Sequence, residues 1–149
     1  MQNKIIPSLW FAKTGGNIST IVKYYKTIFG DVFEAGEITN MGDTPSGKTQ
    51  ICQVTIFGQK YSLMSTQNAH ADFNDAFALT IQCDDQAEID KYWNYFTKEG
   101  SEVQCGWCID NYVLRWQVIP KNLDKLLSSP EAWDVMIGQK KIIISQYLK

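Results

Sequence analysis

Side chains able to do chemistry are sparse in this chain of 149 residues, which holds one histidine, His70, and four cysteines, Cys52, Cys83, Cys105 and Cys108. The densest group lies in Gln104 to Pro120, QCGWCIDNYVLRWQVIP, where a CxxC pair and an arginine sit among strand-forming residues. Two thiols at this spacing can cycle to a disulfide when one is a stabilised thiolate, a chemistry suited to a helix N-terminus. Here the pair runs into a β-hairpin instead. Strand alternation sends Cys105 and Cys108 to opposite faces, so a structural role is expected. Zinc would need a second ligand pair, which the sequence lacks.

A turn of two or four residues from Asp110-Asn111 would put Cys105, Trp107, Leu114, Trp116 and Val118 on one apolar face. Gln104, Gly106, Cys108, Arg115 and Gln117 would then share the other, an amide, guanidinium and thiol surface suited to facing a ligand. A three-residue loop would reverse this division. Arg115 could hold a carboxylate or phosphate, or could pair with an acid at the hairpin rim. His70 reads either as an exposed loop residue or as an acid or base carried over a site by a mobile loop. A single histidine supports no Ser-His-Asp set.

The elements that must position these groups follow from periodicity. Lys4 to Phe11 reads as a strand with Ile6, Ser8 and Trp10 on one side, and Gly15-Gly16 breaks it. Asn17 is a plausible cap for a helix through Phe29, stopped by Gly30. Val32 to Thr39 fits a strand, and Asn40 to Lys48 a polar loop. Ile51 to Phe57 and Lys60 to Ser65 form a hairpin about Gly58-Gln59, with Cys52, Val54, Ile56, Tyr61 and Leu63 on one face. Gln53, Thr55, Ser62 and Met64 lie on the other.

Thr66 to Asp75 is a polar connector, after which the order repeats: strand Phe77 to Cys83, helix Asp85 to Glu99, then the strands ending in the opening hairpin. Trp107, Trp116, Tyr25, Trp93 and Phe96 read as core. After Pro120 the pattern turns helical, through Leu123, Leu126 and Leu127, a Ser-Ser-Pro break, and Ala132, Trp133, Met136 and Ile137; KKIIISQYLK stays ambiguous between strand and helix.

Composition sets the class. With 44% hydrophobic and 20% charged residues, this is an ordinary globular chain. At this length it can bury ~68 to 70% of its unfolded surface. The net charge of −2 gives no broad attraction for nucleic acid. No apolar run suggests a membrane span or a signal peptide, so a cytoplasmic protein with reduced thiols is expected.

IIPSLWF, IVKYYKTIFGD, IQCDDQAEIDKYWNYFTKEG, QCGW and above all LRWQVIPKNLDKLL, in this order, resemble the vicinal oxygen chelate superfamily of glyoxalase, bleomycin-resistance and dioxygenase relatives. Within it they resemble the PhnB-like group, often labelled 3-demethylubiquinone-9 3-methyltransferase-like. The resemblance implies an α+β fold of two β-α-β-β-β modules, about residues 1–66 and 76–120, forming a curved mixed-sheet cleft, with C-terminal helices over 121–149. It also implies a small-molecule ligand and a homodimer.

Metal-using members place His, Gln or Glu at positions that correspond here to Ser8, Met64, Ala78 and Gln117. That set lacks the hard oxygen or imidazole donors a divalent cation wants, so no metal and no cofactor are expected. Methyl transfer from S-adenosylmethionine would need a glycine-rich turn in a parallel βαβ unit, which the hairpins argue against. The reading is a metal-free cleft lined by Ser8, Trp10, Gln53, Ser62, Met64, Arg115 and Gln117, its reaction open. A metal-dependent isomerase or lyase, drawing in His70 or Asp110, and a non-catalytic regulatory domain are the alternatives.

Overall fold

The computed structural model describes residues 2–148, which fall into two units divided between Asp72 and Phe73. Each has the order β-α-β-β-β.

The first unit contains β1 (Ser8–Phe11), α1 (Ser19–Phe29), β2 (Phe33–Thr44), β3 (Gly47–Ile56) and β4 (Gln59–Thr66). Its sheet runs β1-β4-β3-β2, with β1 parallel to β4 and the other pairs antiparallel. α1 forms because its apolar residues recur at helical spacing, and it buries Ile21, Tyr25, Ile28 and Phe29. Full burial of each such side chain is worth roughly 1.5 to 3 kcal/mol. On the sheet, Leu9, Phe11, Cys52, Val54 and Leu63 are buried. Gly30 at φ 56 ends the helix, and Lys26 Nζ donates to the Gly30 and Phe33 carbonyls at 2.8 and 3.0 Å. Asn17 stands one place before the cap residue Ile18 and still accepts from the Ser19 N–H at 3.1 Å.

Three boundaries differ from expectation. β1 begins at Ser8 rather than Lys4. The expected loop of residues 40–48 is mostly strand, because β2 and β3 continue to a tight turn at Pro45-Ser46. Thr44 and Gly47 pair there, and the Thr44 hydroxyl donates to the Gly47 carbonyl at 3.0 Å. The β3-β4 turn is Phe57-Gly58, with φ 49 and 77, the two positive values a type I′ turn requires. The shift from Gly58-Gln59 moves the register by two, which changes the pairs but keeps face parity: Cys52 opposes Leu63 on one face, and Gln53 opposes Ser62 on the other.

The second unit contains β5 (Leu79–Cys83), α2 (Gln86–Lys98), β6 (Ser101–Glu102), β7 (Trp107–Ile109), β8 (Arg115–Pro120), α3 (Leu123–Leu126) and α4 (Pro130–Ile137). Its sheet order, β5-β8-β7-β6, repeats that of the first unit, again with the first and last strands parallel. Asp85 caps α2, accepting from the Glu88 N–H at 2.9 Å, while Glu88 accepts from the Asp84 N–H at 2.6 Å. The helix buries Ile89, Tyr92, Trp93 and Phe96, and Phe96 stacks on Trp116 with centroids 4.5 Å apart. Ser129 caps α4, accepting from the Ala132 N–H, with Pro130 at the first helical position. Of the expected α4 stripe, Ala132 and Met136 are buried while Trp133 and Ile137 are exposed.

The tail beyond α4 is tied down by two glutamines. Gln86 donates to the Ile142 carbonyl at 3.0 Å and accepts from the Ile144 N–H at 2.9 Å. Gln139 accepts from the Ile143 N–H at 3.2 Å and the Tyr147 hydroxyl at 2.8 Å. Among the described residues no helix is long and apolar enough to cross a membrane.

The β7-β8 hairpin reverses part of the expected division. Cys108 pairs with Trp116, and Trp107 with Gln117, because the loop holds three residues, Asn111–Val113. The Asp110 N–H donates to the Leu114 carbonyl at 2.9 Å, and Val113 takes φ 70, the left-handed residue that closes such a loop. Cys108 and Gly106 therefore join the buried side. Trp107, expected in the core, is half-buried beside Gln117.

Candidate functional site

In the first unit, strand register sorts the expected residues into two rows on the sheet face opposite α1. Ser8, Ser62 and Gln53 are cross-strand partners, as are Trp10, Met64 and Ile51 one step along. One row is neutral and hydrogen-bonding, the other apolar. No protein partner engages the Ser8, Ser62 or Gln53 side chains among the described residues. Ser8 and Gln53 are exposed, and Trp10, Ser62 and Met64 half-buried. Beside Gln53, where a bulge interrupts β2 between Ala35 and Ile38, a groove of about 220 Å3 is lined by Glu34, Gly36, Gln53, Thr55 and Lys60.

Trp10 is fixed at both its edge and its face. Its indole N–H donates to Thr66 Oγ1 at 3.0 Å, and that hydroxyl donates to the Asn68 carbonyl at 2.8 Å. Over its face lies His70, ring centroids 3.4 Å apart and planes 6° from parallel. The connector histidine is thus exposed, as one reading had it, and also seated on the expected ligand-facing tryptophan.

In the second unit, β8 alternation puts Arg115 and Gln117 on one face and buries Trp116 and Val118 on the other. Arg115 makes the rim ion pair: its Nε donates to Asp75 Oδ1 at 2.8 Å, and its Nη1 to the carbonyls of Phe73 and Val113 at 2.9 and 2.7 Å. The arginine side chain is 14% exposed and its acid partner 79%, so Asp75 is the replaceable member. Among the described residues Nη2 has no acceptor, which leaves it able to reach one ligand oxygen. Gln117 accepts from the Thr80 hydroxyl at 3.2 Å. Trp107 and Ile109 complete this face, one residue of which sequence reasoning had assigned to the core.

Asp110, a possible recruit for chemistry, is committed to structure. It is 2% exposed, its Oδ1 accepts from the Tyr112 and Leu114 N–H groups at 2.8 and 3.1 Å, and its Oδ2 accepts from the Trp116 indole at 2.8 Å. The CxxC thiols are free: Cys105 is half-buried at φ 57, and Cys108 is buried. Burial pushes the thiols of Cys83 and Cys108 up to about 12, with nearby acids adding to the effect. Neither is a ready thiolate.

Solved structures share this fold at low identity. A PhnB protein from Bacillus cereus, a putative 3-demethylubiquinone-9 3-methyltransferase, aligns with a TM-score of 0.63 at 22% identity, covering 78% of this chain and 99% of its own. Protein PA1353 from Pseudomonas aeruginosa gives 0.59 at 18%, covering 80% and 98%. The fosfomycin resistance protein FosX from Listeria monocytogenes gives 0.57 at 14%, covering 87% and 99%. The fold they share with this chain is that of the glyoxalase and bleomycin-resistance proteins. No curated protein matches the chain. The family described as 3-demethylubiquinone-9 3-methyltransferase matches residues 3–119, so the chain belongs to that family.

Neither group suggested by these relatives fits the residues present. One FosX structure is a complex with Mn(II) and 1S,2S-dihydroxypropylphosphonic acid. The positions that the resemblance assigns to metal ligands hold a hydroxyl, a thioether, a methyl and an amide: Ser8, Met64, Ala78 and Gln117. Manganese favours carboxylate, carbonyl and water oxygens, and of these side chains only the Gln117 amide offers such an oxygen. For the methyl donor, β1 and β2 lie at opposite edges of a mixed sheet, not side by side in a parallel βαβ unit. Gly16 has a packing reason to be glycine, since a Cβ there would meet the Lys48 carbonyl at 2.7 Å.

Proposed function

We propose that this protein binds a small planar or anionic organic molecule without a metal. The contacts in the first unit are Ser8, Trp10, Gln53, Ser62 and Met64; Arg115 and Gln117 form a second candidate surface, described within its own unit. The observation that carries the reading is the pair of rows on the first sheet. Three neutral hydrogen-bonding side chains, without a protein partner among the described residues, adjoin an indole, a thioether and an isoleucine. A sheet face turned only toward water has no need of Trp10, Met64 and Ile51 side by side, whereas a ligand wall needs apolar area with a few polar groups to orient what binds. Within the second unit Arg115 offers positive charge of its own through Nη2, and an anion's carboxylate could take over Nε from the exposed Asp75.

The test is a thermal-shift and calorimetric screen of planar organic acids, salicylate among them, against protein purified without chelator. A ligand held by the native state alone stabilises it by about 2.7 kcal/mol at a hundred times its dissociation constant. A rise in Tm that Trp10→Leu or Gln53→Leu removes is the expected result. Stoichiometric manganese or zinc in the purified protein would refute the metal-independent reading and bring the isomerase or lyase forward.

A further inference from the structure

The His70 ring lies on Trp10 as a planar ligand would, parallel to within 6° and with centroids 3.4 Å apart. Little else holds it there. His70 is exposed, and among the described residues its imidazole has no hydrogen bond or ion pair. The chain is anchored before it by the Asn68 N–H, which donates to the Ser46 carbonyl at 3.0 Å, and after it by the ion pair of Lys13 with Asp72 at 3.4 Å. That pair joins two exposed groups and is weak. Between the anchors, Ala69 and Ala71 flank the histidine and are themselves exposed. Trp10, by contrast, stays fixed through Thr66 when the ring above it leaves.

We propose that the face of Trp10 is a stacking subsite for a planar nitrogen heteroaromatic ring, and that His70 is its built-in occupant, displaced when such a ring binds. This rests on the proposed ligand wall and adds both the class of ring and the device that regulates access. The class follows from the two rows. The row of Ser8, Ser62 and Gln53 lies two residues along the strands from that of Trp10 and Met64, roughly 7 Å away. A two-ring heteroaromatic spans that distance, stacking on the indole while its ring N–H and ring nitrogen meet hydroxyl and amide groups that both donate and accept.

Because His70 is the sole histidine, its imidazole proton resonances report the stack without ambiguity. In unliganded protein at fixed pH they should lie upfield of free imidazole, shielded by the indole, and Trp10→Leu should return them to the free position. Benzimidazole is the probe. Its addition should also return them, and His70→Ala, a change at an exposed side chain, should tighten benzimidazole binding roughly two- to tenfold, the factor an aromatic pair is worth. Unshielded resonances in the unliganded protein, or His70→Ala leaving benzimidazole affinity unchanged or weaker, would overturn the proposal. Salicylate binding that needs Trp10 while benzimidazole fails would discard the heteroaromatic class but keep the ligand wall. Silence from both probes would discard the two together.

Discussion

Asp110→Asn tests the side chain that sets the register of the β7-β8 hairpin, and with it the direction of Arg115 and Gln117. In the native turn one carboxylate oxygen serves two backbone N–H groups and the other serves the Trp116 indole. An asparagine has one oxygen. If it faces the backbone, the amide NH2 is set against the indole N–H of a side chain 3% exposed; if it flips, two backbone donors lose their acceptor. At least one buried donor is orphaned either way, at about 1 to 3 kcal/mol. Against a total stability of about 5 to 15 kcal/mol this is a large fraction. With a urea slope of about 2 kcal/mol per molar, the unfolding midpoint should fall by about 1 M. The assay is equilibrium urea unfolding followed by near-UV circular dichroism, where Trp116 stacked on Phe96 supplies signal. A midpoint within about 0.2 M of wild type would refute the claim that this carboxylate holds the loop, and with it the account of the reversed hairpin faces.

Two further outcomes follow from burial and charge. Cys52, Cys83 and Cys108 are buried and Cys105 is half-buried, so Ellman's reagent should modify one thiol quickly in the native protein, and Cys105→Ser should abolish that phase. Fast reaction of a second thiol without denaturant would mean that a core strand opens. The Asp90 carboxyl is held below its ordinary range, first by Lys141, whose Nζ lies 2.9 Å away, and then by the Gln86 amide. A depressed folded value contributes stability above the unfolded carboxylate range and loses it as pH falls through the folded value. Lys141→Ala should therefore flatten the acid limb of the stability curve, by less than about 1 kcal/mol because both groups are partly exposed. An unchanged limb would leave the tail held by its glutamines alone.

What was legible in the sequence depended on whether parity alone decided it. The first-sheet face emerged correctly even though the Phe57-Gly58 turn was misplaced by one residue, because an even shift of register preserves faces. The second hairpin differed because its loop length was odd, and the cause is a buried carboxylate gathering backbone N–H groups, with Val113 in a conformation unusual for a β-branched residue. Nothing in DNYV announces that. The polar run NMGDTPSGK hid two strands, since an edge strand open to solvent can carry polar residues throughout. The β-α-β-β-β repeat was readable because each helix carries a clean apolar stripe and each unit a glycine near its helix end. That His70 stacks on Trp10 left no local mark, for the two are 60 positions apart.

The connector, more than either sheet, is where the affinity of each unit's candidate surface would be tuned, each taken by itself. Within the first unit its His70 covers Trp10. Within the second, the segment continuing from it gives Phe73 and Asp75 to Arg115. Each candidate contact with the strongest chemistry, an indole face and a guanidinium, is thus met by a side chain or carbonyl of residues 70–75, while the hydroxyl and amide groups of Ser8, Ser62 and Gln53 have no partner among the described residues. A site covered in this way binds with its intrinsic dissociation constant divided by the open fraction. Substitutions in the connector that never touch a ligand should then change apparent affinity through that fraction, whereas substitutions on the sheets should change the intrinsic term. The two classes separate in a double-mutant cycle: His70→Ala and Gln53→Leu should be additive if His70 only covers the site, and coupled if it also contacts what binds.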